Sequence, residues 1–261
     1  MKKLLIATPI FDSKPFMPWV ESIDRAKHNL RDKVEIETLP ACGDSLVANA
    51  RNILVGTFLR DSTADALLFI DADESFTPRD VMAVVRGLDA GMPICGAAYA
   101  KKIIDWESVY VGPERGLTPF QLAQAGSRQH NFTVSPETKK LPVWRIRSEA
   151  GHYNYIPVEF CGTGFLGATR ETLELLAEEV EKYHVRSNFD GVLSVPELFQ
   201  DGVIGGKFVG EDVHFCKLAI KHGFPIHVFV DSQVSHWGLY EHPANARAAL
   251  EAAGYTFEVQ E

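Results

Sequence analysis

Short apolar runs separated by helical patterns set the rhythm of the first hundred residues. Leu4 to Ala7, Val34 to Leu39, Ala66 to Ile70 and Ile94 to Ala98 read as buried strands bounded by polar or turn-forming residues. Between the second and third runs, Ala50, Ile53, Leu54, Thr57 and Phe58 recur at helical spacing, which predicts a helix from about Leu46 to Arg60 with one buried stripe. Next comes Thr77-Pro78-Arg79-Asp80, where Thr77 suits a cap, Pro78 the first helical position and Asp80 the positive end of a helix whose buried face is Val81, Val84, Val85 and Leu88. The segment between Ile70 and Thr77 is then a tight loop at the carboxyl end of a strand, where open α/β sheets bind ligands. The alternation predicts an α/β fold with a mostly parallel central sheet flanked by helices.

Farther along, Phe160 to Ala168 reads as a glycine-punctuated strand, and Thr169 caps a helix carrying Leu173, Leu176 and Val180. A helix from about Glu211 to His222 ends at Gly223, Ile226 to Val230 forms another strand, and Asn245 to Ala253 a closing helix. From Asp105 to Tyr155 the periodicity fades among Pro, Gly, Gln, Ser and Thr, which predicts surface excursions or a lid; Ser187 to Lys207 is similarly irregular.

Composition narrows the class. A chain of 261 residues is long enough for one sizeable α/β domain, and 46% apolar with 23% charged residues excludes a mainly disordered chain. The net charge of -9 disfavours binding nucleic acid by bulk phosphate neutralisation. Cys42, Cys95, Cys161 and Cys216 form no CxxC pair, so they read as buried free thiols of a reducing, cytoplasmic compartment rather than as a zinc ribbon or disulfide framework. The run Leu4 to Ala7 stops at Thr8-Pro9, too short for a signal-peptide core, and no stretch approaches the ~20 apolar residues of a membrane span.

Three places carry candidate chemistry. Leu67-Leu68-Phe69-Ile70-Asp71-Ala72-Asp73 is a buried strand ending in two carboxylates two positions apart, a pair of hard oxygen ligands suited to Mg2+ or Mn2+ with room left for a diphosphate. Gly210-Glu211-Asp212 opens a helix, where acids also serve as ordinary caps. Ser235-His236-Trp237-Gly238 offers a histidine that either packs or joins carboxylates on a metal.

Taken in order, Ala7-Thr8-Pro9, Ala50-Arg51-Asn52, Phe69-Ile70-Asp71-Ala72-Asp73, Gly162-Thr163-Gly164-Phe165, Gly210-Glu211-Asp212 and His236-Trp237-Gly238 resemble the GT-A glycosyltransferases, particularly bacterial and phage-type members similar to the family 2 group. The resemblance covers Leu4 to Ala98 and Glu159 to Gly238, and implies one GT-A catalytic domain over 1–261. In it, 1–104 would be the nucleotide-sugar-binding half, 105–155 variable loops or a lid, and 156–261 the acceptor-binding and catalytic half. It implies that Asp71 and Asp73 bind the metal and donor, that His236 is a late third metal ligand, and that Asp212 is the base with Glu211 beside it. It also implies that Thr8 and Pro9 lie at the nucleotide base, that Arg51 meets the donor sugar or diphosphate, and that Gly162, Thr163 and Gly164 form a close-approach turn under the acceptor. The implied cofactor is Mn2+ (or Mg2+). The implied donor is a nucleotide sugar, UDP-sugar favoured, and the acceptor is open: glycan, small molecule, protein or modified nucleic acid.

Two other readings fit parts of the chain. Asp71-Ala72-Asp73-Glu74-Ser75 nearly matches the DxDx[T/V] motif of haloacid-dehalogenase-like phosphatases, in which Asp71 would be a nucleophile, although that motif normally follows the first strand. A nucleotide-sugar-binding module without turnover is the non-catalytic alternative.

Overall fold

The computed structural model describes residues 1–110, 116, 118–127, 129–149, 151–187 and 191–260. Its centre is a nine-stranded sheet in the order Thr256–Gln260, Lys140–Ser148, Gly151–Val158, Ile226–Phe229, Ile94–Ala97, Phe165–Thr169, Ala66–Ile70, Lys3–Ile10, Glu35–Cys42. Only Gly151–Val158 and Phe165–Thr169 run against the other strands, so the sheet is mixed but mostly parallel in direction, and the fold class is α/β.

Strand alternation assigns each side chain to a layer. Leu5, Ala7, Leu67 and Phe69 join one core with Leu54, Val55 and Phe58 of helix Val47–Asp61. Leu4, Ile6, Leu68 and Ile70 join the other core, with Ile23, Ala26 and Leu30 of helix Met17–Leu30 and Val81, Val84, Val85 and Leu88 of helix Pro78–Asp89. Both faces are therefore covered, which is why these strands read as continuous apolar runs rather than alternating ones. Parity also explains the site. Residues 67 and 69 face helix Val47–Asp61, and Asp71 continues that series toward the same helix.

Several expectations change in detail. The stripe expected at Ala50, Ile53, Leu54, Thr57 and Phe58 is rotated: the helix buries Ala50, Arg51, Asn52, Leu54, Val55 and Phe58, and leaves Ile53 and Thr57 half-buried. Two polar side chains face inward because each has internal partners. Asn52 clasps the backbone of Phe199 from both ends, accepting from its N–H at 2.8 Å and donating to its carbonyl at 2.9 Å.

The stretch expected as loops over 105–155 contains helices Trp106–Tyr110 and Pro119–Gly126 and the antiparallel pair Lys140–Ser148 and Gly151–Val158, which extends the main sheet. Leu141 and Val143 point into the core while Lys140 and Trp144 are exposed and Pro142 is half-buried, an alternation that Pro142 obscures in the sequence. Residues 111–115, 117, 128 and 150 lie outside the described ones. In the second irregular stretch, Lys182–Ser187 pairs with Gly191–Pro196 and Gly202–Ile204 with Lys207–Val209, while 188–190 are outside the described residues.

The single glycine-punctuated strand is two strands, Phe160–Cys161 and Phe165–Thr169, with Gly162 to Gly164 turning between them. Among the described residues no helix is long and apolar enough to cross a membrane. All four cysteines are free; Cys95, Cys161 and Cys216 are buried as expected, whereas Cys42 is exposed.

Candidate functional site

Asp71 sits where strand Ala66–Ile70 ends, its N–H donating to the Gly164 carbonyl at 2.9 Å. Facing it, Arg51 is 3% exposed and lies with its guanidinium 5.4 Å from the centre of the Phe69 ring. One guanidinium nitrogen donates to both Asp71 carboxylate oxygens, at 2.9 and 3.2 Å, and another reaches the Thr163 carbonyl at 3.4 Å. Glu211 Oε1 lies 3.6 Å from Arg51 Nε, brought there because Gly210 caps helix Glu211–Lys221 at this end. Burial works against the Arg51 charge, but Asp71 and then Glu211 outweigh it and raise its pKa.

The second carboxylate has different partners. Asp73 Oδ1 faces His236 Nε2 at 3.5 Å, and its Oδ2 accepts from the Lys102 ammonium. Burial pulls Asp73 upward, but the hydrogen bonds from His236 and Lys102 prevail and hold its carboxyl below the usual aspartate range. His236 Nδ1 lies 3.1 Å from the Ala100 carbonyl; donation there leaves Nε2 as the nitrogen facing Asp73. The strand Ser235–Trp237 is fixed by the Trp237 N–H to the Asp73 carbonyl, 2.7 Å, and by the Trp237 indole N–H to Ser75 Oγ, 2.8 Å. Asp80, expected as a helix-end charge, is fully buried and also accepts from the Gln233 N–H at 2.8 Å, so the start of helix Pro78–Asp89 anchors the approach to His236.

Beneath the two aspartates is a polar floor. Glu74 is 0% exposed and neither carboxyl oxygen has a hydrogen-bond partner. Burial, then Asp71 and Asp73, push its pKa well above the usual glutamate range. Gly164 closes over it and donates its N–H to the Tyr99 hydroxyl at 3.1 Å. A Cβ on Gly164 would collide with Glu74 Oε1 and the Tyr99 hydroxyl, and one on Gly162 would stand 2.7 Å from the same hydroxyl. Gly164→Ala is therefore expected to destabilise the fold by about 1–3 kcal/mol, measured by denaturant unfolding; unchanged stability would mean that this approach is not tight.

Glu74→Gln is expected to raise the thermal midpoint at neutral pH. An acid with a raised folded pKa must take up a proton to fold, and that cost is absent below the ordinary glutamate range and grows as pH rises above it. The gain should accordingly vanish in acid, and a gain that is the same at pH 4 and pH 8 would refute the assignment.

The comparisons with known proteins speak to fold. In fold, the chain resembles A197 from STIV. The crystal structure of that protein aligns with a TM-score of 0.50 and 18% identity over 94% of this chain and 95% of the other. No protein-family model matches the chain, and no curated protein matches it in sequence.

The expected residues fall into three groups. Arg51, Asp71 and Glu211 meet directly, and so do Asp73 and His236. Asp212 stands next to Glu211 at the helix start, one oxygen accepting from the Val213 N–H at 2.7 Å; burial raises its pKa, as it does that of Glu211. Of the others, only Thr8 is turned away from its expected place. Thr8 is 1% exposed with an unpartnered hydroxyl, because parity turns it inward, whereas Pro9 lines a cleft of about 270 Å3 with Phe11, Asp44, Ala50, Asp71 and Asp73. Gly162, Thr163 and Gly164 form the buried floor under Arg51 and Asp71.

Asp71 is held by Arg51, and among the described residues no three His, Cys, Asp or Glu side chains form a ready-made cation cluster. Asp73 and His236 remain a fitting pair of donors for a hard divalent ion. Sequence reasoning missed Glu74, Tyr99 and Lys102. Glu74 had a signal, being an acid inside the motif itself, but its burial follows only from the pairing of Glu74 with His236.

Proposed function

We propose that the protein is a metal-dependent GT-A glycosyltransferase that moves a sugar from a nucleoside-diphosphate sugar, UDP-sugar favoured, to a hydroxyl acceptor in the cytoplasm. The observation that carries this reading is the meeting of Asp71, Asp73, Arg51, Glu211, Asp212 and His236, from four separate segments, at the carboxyl end of one central strand. Arg51 Nε, Thr163 Oγ1 and both Glu74 oxygens, on segments that meet there, are buried without a hydrogen-bond partner, which supports a place built for a polar ligand. The buried free thiols support a reducing compartment.

In this reading the cleft at Pro9 and Asp44 takes the nucleoside, and Arg51 reads the donor while holding Asp71 in place. Asp73 and His236 would hold Mn2+ or Mg2+, which when bound neutralises charge on the departing diphosphate. Asp212, made more basic by burial, accepts the proton of the acceptor hydroxyl. A thermal-shift screen of UDP, GDP, CDP and dTDP sugars with and without Mn2+ tests the donor class, since a ligand of the native state raises its midpoint. A shift by one nucleotide series that needs Mn2+ supports the reading, and none with any series refutes it.

A further inference from the structure

Lys102 belongs to none of the motifs, yet its ammonium holds Asp73 Oδ2 while His236 faces the other oxygen of the same carboxylate. Its placement is built. The backbone around it is fixed by the Lys101 N–H to the Gln129 carbonyl and the Ile103 N–H to the Lys101 carbonyl, both 2.7 Å. Its stem runs over Gly238, two residues past His236, where a Cβ would stand 3.4 Å from Lys102 Cδ and 3.9 Å from Cε. The side chain is nevertheless 36% exposed, so it has somewhere to go.

We propose that Lys102 is an exchangeable counter-ion that couples the loading of a divalent cation to the loading of the donor diphosphate. This rests on the donor-site reading above. An ammonium and a divalent ion compete for one carboxylate, because each repels the other at hydrogen-bond distance. A cation entering alone must displace Lys102 into water without a new partner. When a diphosphate arrives with it, the displaced ammonium pairs with phosphate oxygens instead. Asp73 thus passes from lysine to metal as Lys102 passes from Asp73 to phosphate, and each ligand favours the other. Coupling of this kind is reciprocal in binding free energy.

The test is Mn2+ binding to the full chain by calorimetry or by loss of the free-ion paramagnetic resonance signal, with and without UDP. Wild type should bind Mn2+ weakly alone and at least about 5-fold more tightly with UDP. Lys102→Met keeps the stem and removes the charge. It should tighten Mn2+ binding without nucleotide by about 5-fold or more and shrink the UDP coupling by at least that factor. Lys102→Arg, which keeps the charge, should retain wild-type behaviour in both. If Lys102→Met binds Mn2+ as wild type does, alone and with UDP, the exchange is overturned while the donor site stands. If wild type binds no Mn2+ under either condition, the donor-site reading falls and takes the exchange with it.

Discussion

Asp212→Asn should retain nucleotide-sugar affinity and lose transfer by about 10²–10⁴-fold, the usual contribution of a positioned base. One Asp212 oxygen accepts the Val213 N–H at 2.7 Å, and the amide oxygen of asparagine keeps that bond. The cap of this helix is Gly210, which the substitution leaves untouched, so the fold and the helix start survive. What is lost is the ability to take a proton. The pH profile gives a second readout. Because burial raises Asp212, the wild-type rate should fall with decreasing pH above the range of an exposed aspartate, as the base becomes protonated. Donor calorimetry beside the transfer rate separates the outcomes: unchanged transfer by the variant would transfer the role to Glu211, which burial raises in the same way.

Asp73→Ala should abolish Mn2+-stimulated turnover with a normal circular-dichroism melt. The side chain lies in a turn and is partly exposed, and the structural bond at this position, from the Trp237 N–H to the Asp73 carbonyl, belongs to the backbone and persists in alanine. His236 loses its carboxylate partner at the same time, so His236→Ala should weaken Mn2+ binding several-fold by removing the other half of the pair. Near-normal turnover in Asp73→Ala with an intact melt would remove Asp73 from the site.

How far the site could be read from residues alone follows from parity and partners. The run from Leu67 to Ile70 announced a buried strand, but because its alternation puts apolar residues on both faces it did not tell that Asp71 would face the helix that carries Arg51. The acid pair, Glu211-Asp212 and His236 were visible because their types and order are informative. Thr8 was misplaced because the same alternation, carried through Lys3–Ile10, turns it into the interior and presents Pro9 to the cleft. The strand Lys140–Ser148 was hidden because its buried positions, Leu141 and Val143, are few and flanked by Pro142 and the exposed Trp144. The burial of Glu74 and the pairing of Lys102 were hidden for a different reason. Their roles arise from long-range pairings, Glu74 with His236 across two strands and Lys102 with Asp73 across 29 residues, which no local pattern encodes.

The proposed chemistry is cleavage of the bond between a sugar and a nucleoside diphosphate. Its most direct test is nucleoside diphosphate release from a panel of nucleotide sugars, measured with wild type and Asp73→Ala, with Mn2+ and with chelator. Wild type should release nucleoside diphosphate from at least one donor in a manner dependent on Mn2+, and Asp73→Ala should release none. No release from any donor, or a phosphorylated Asp71 recovered in its place, would contradict it.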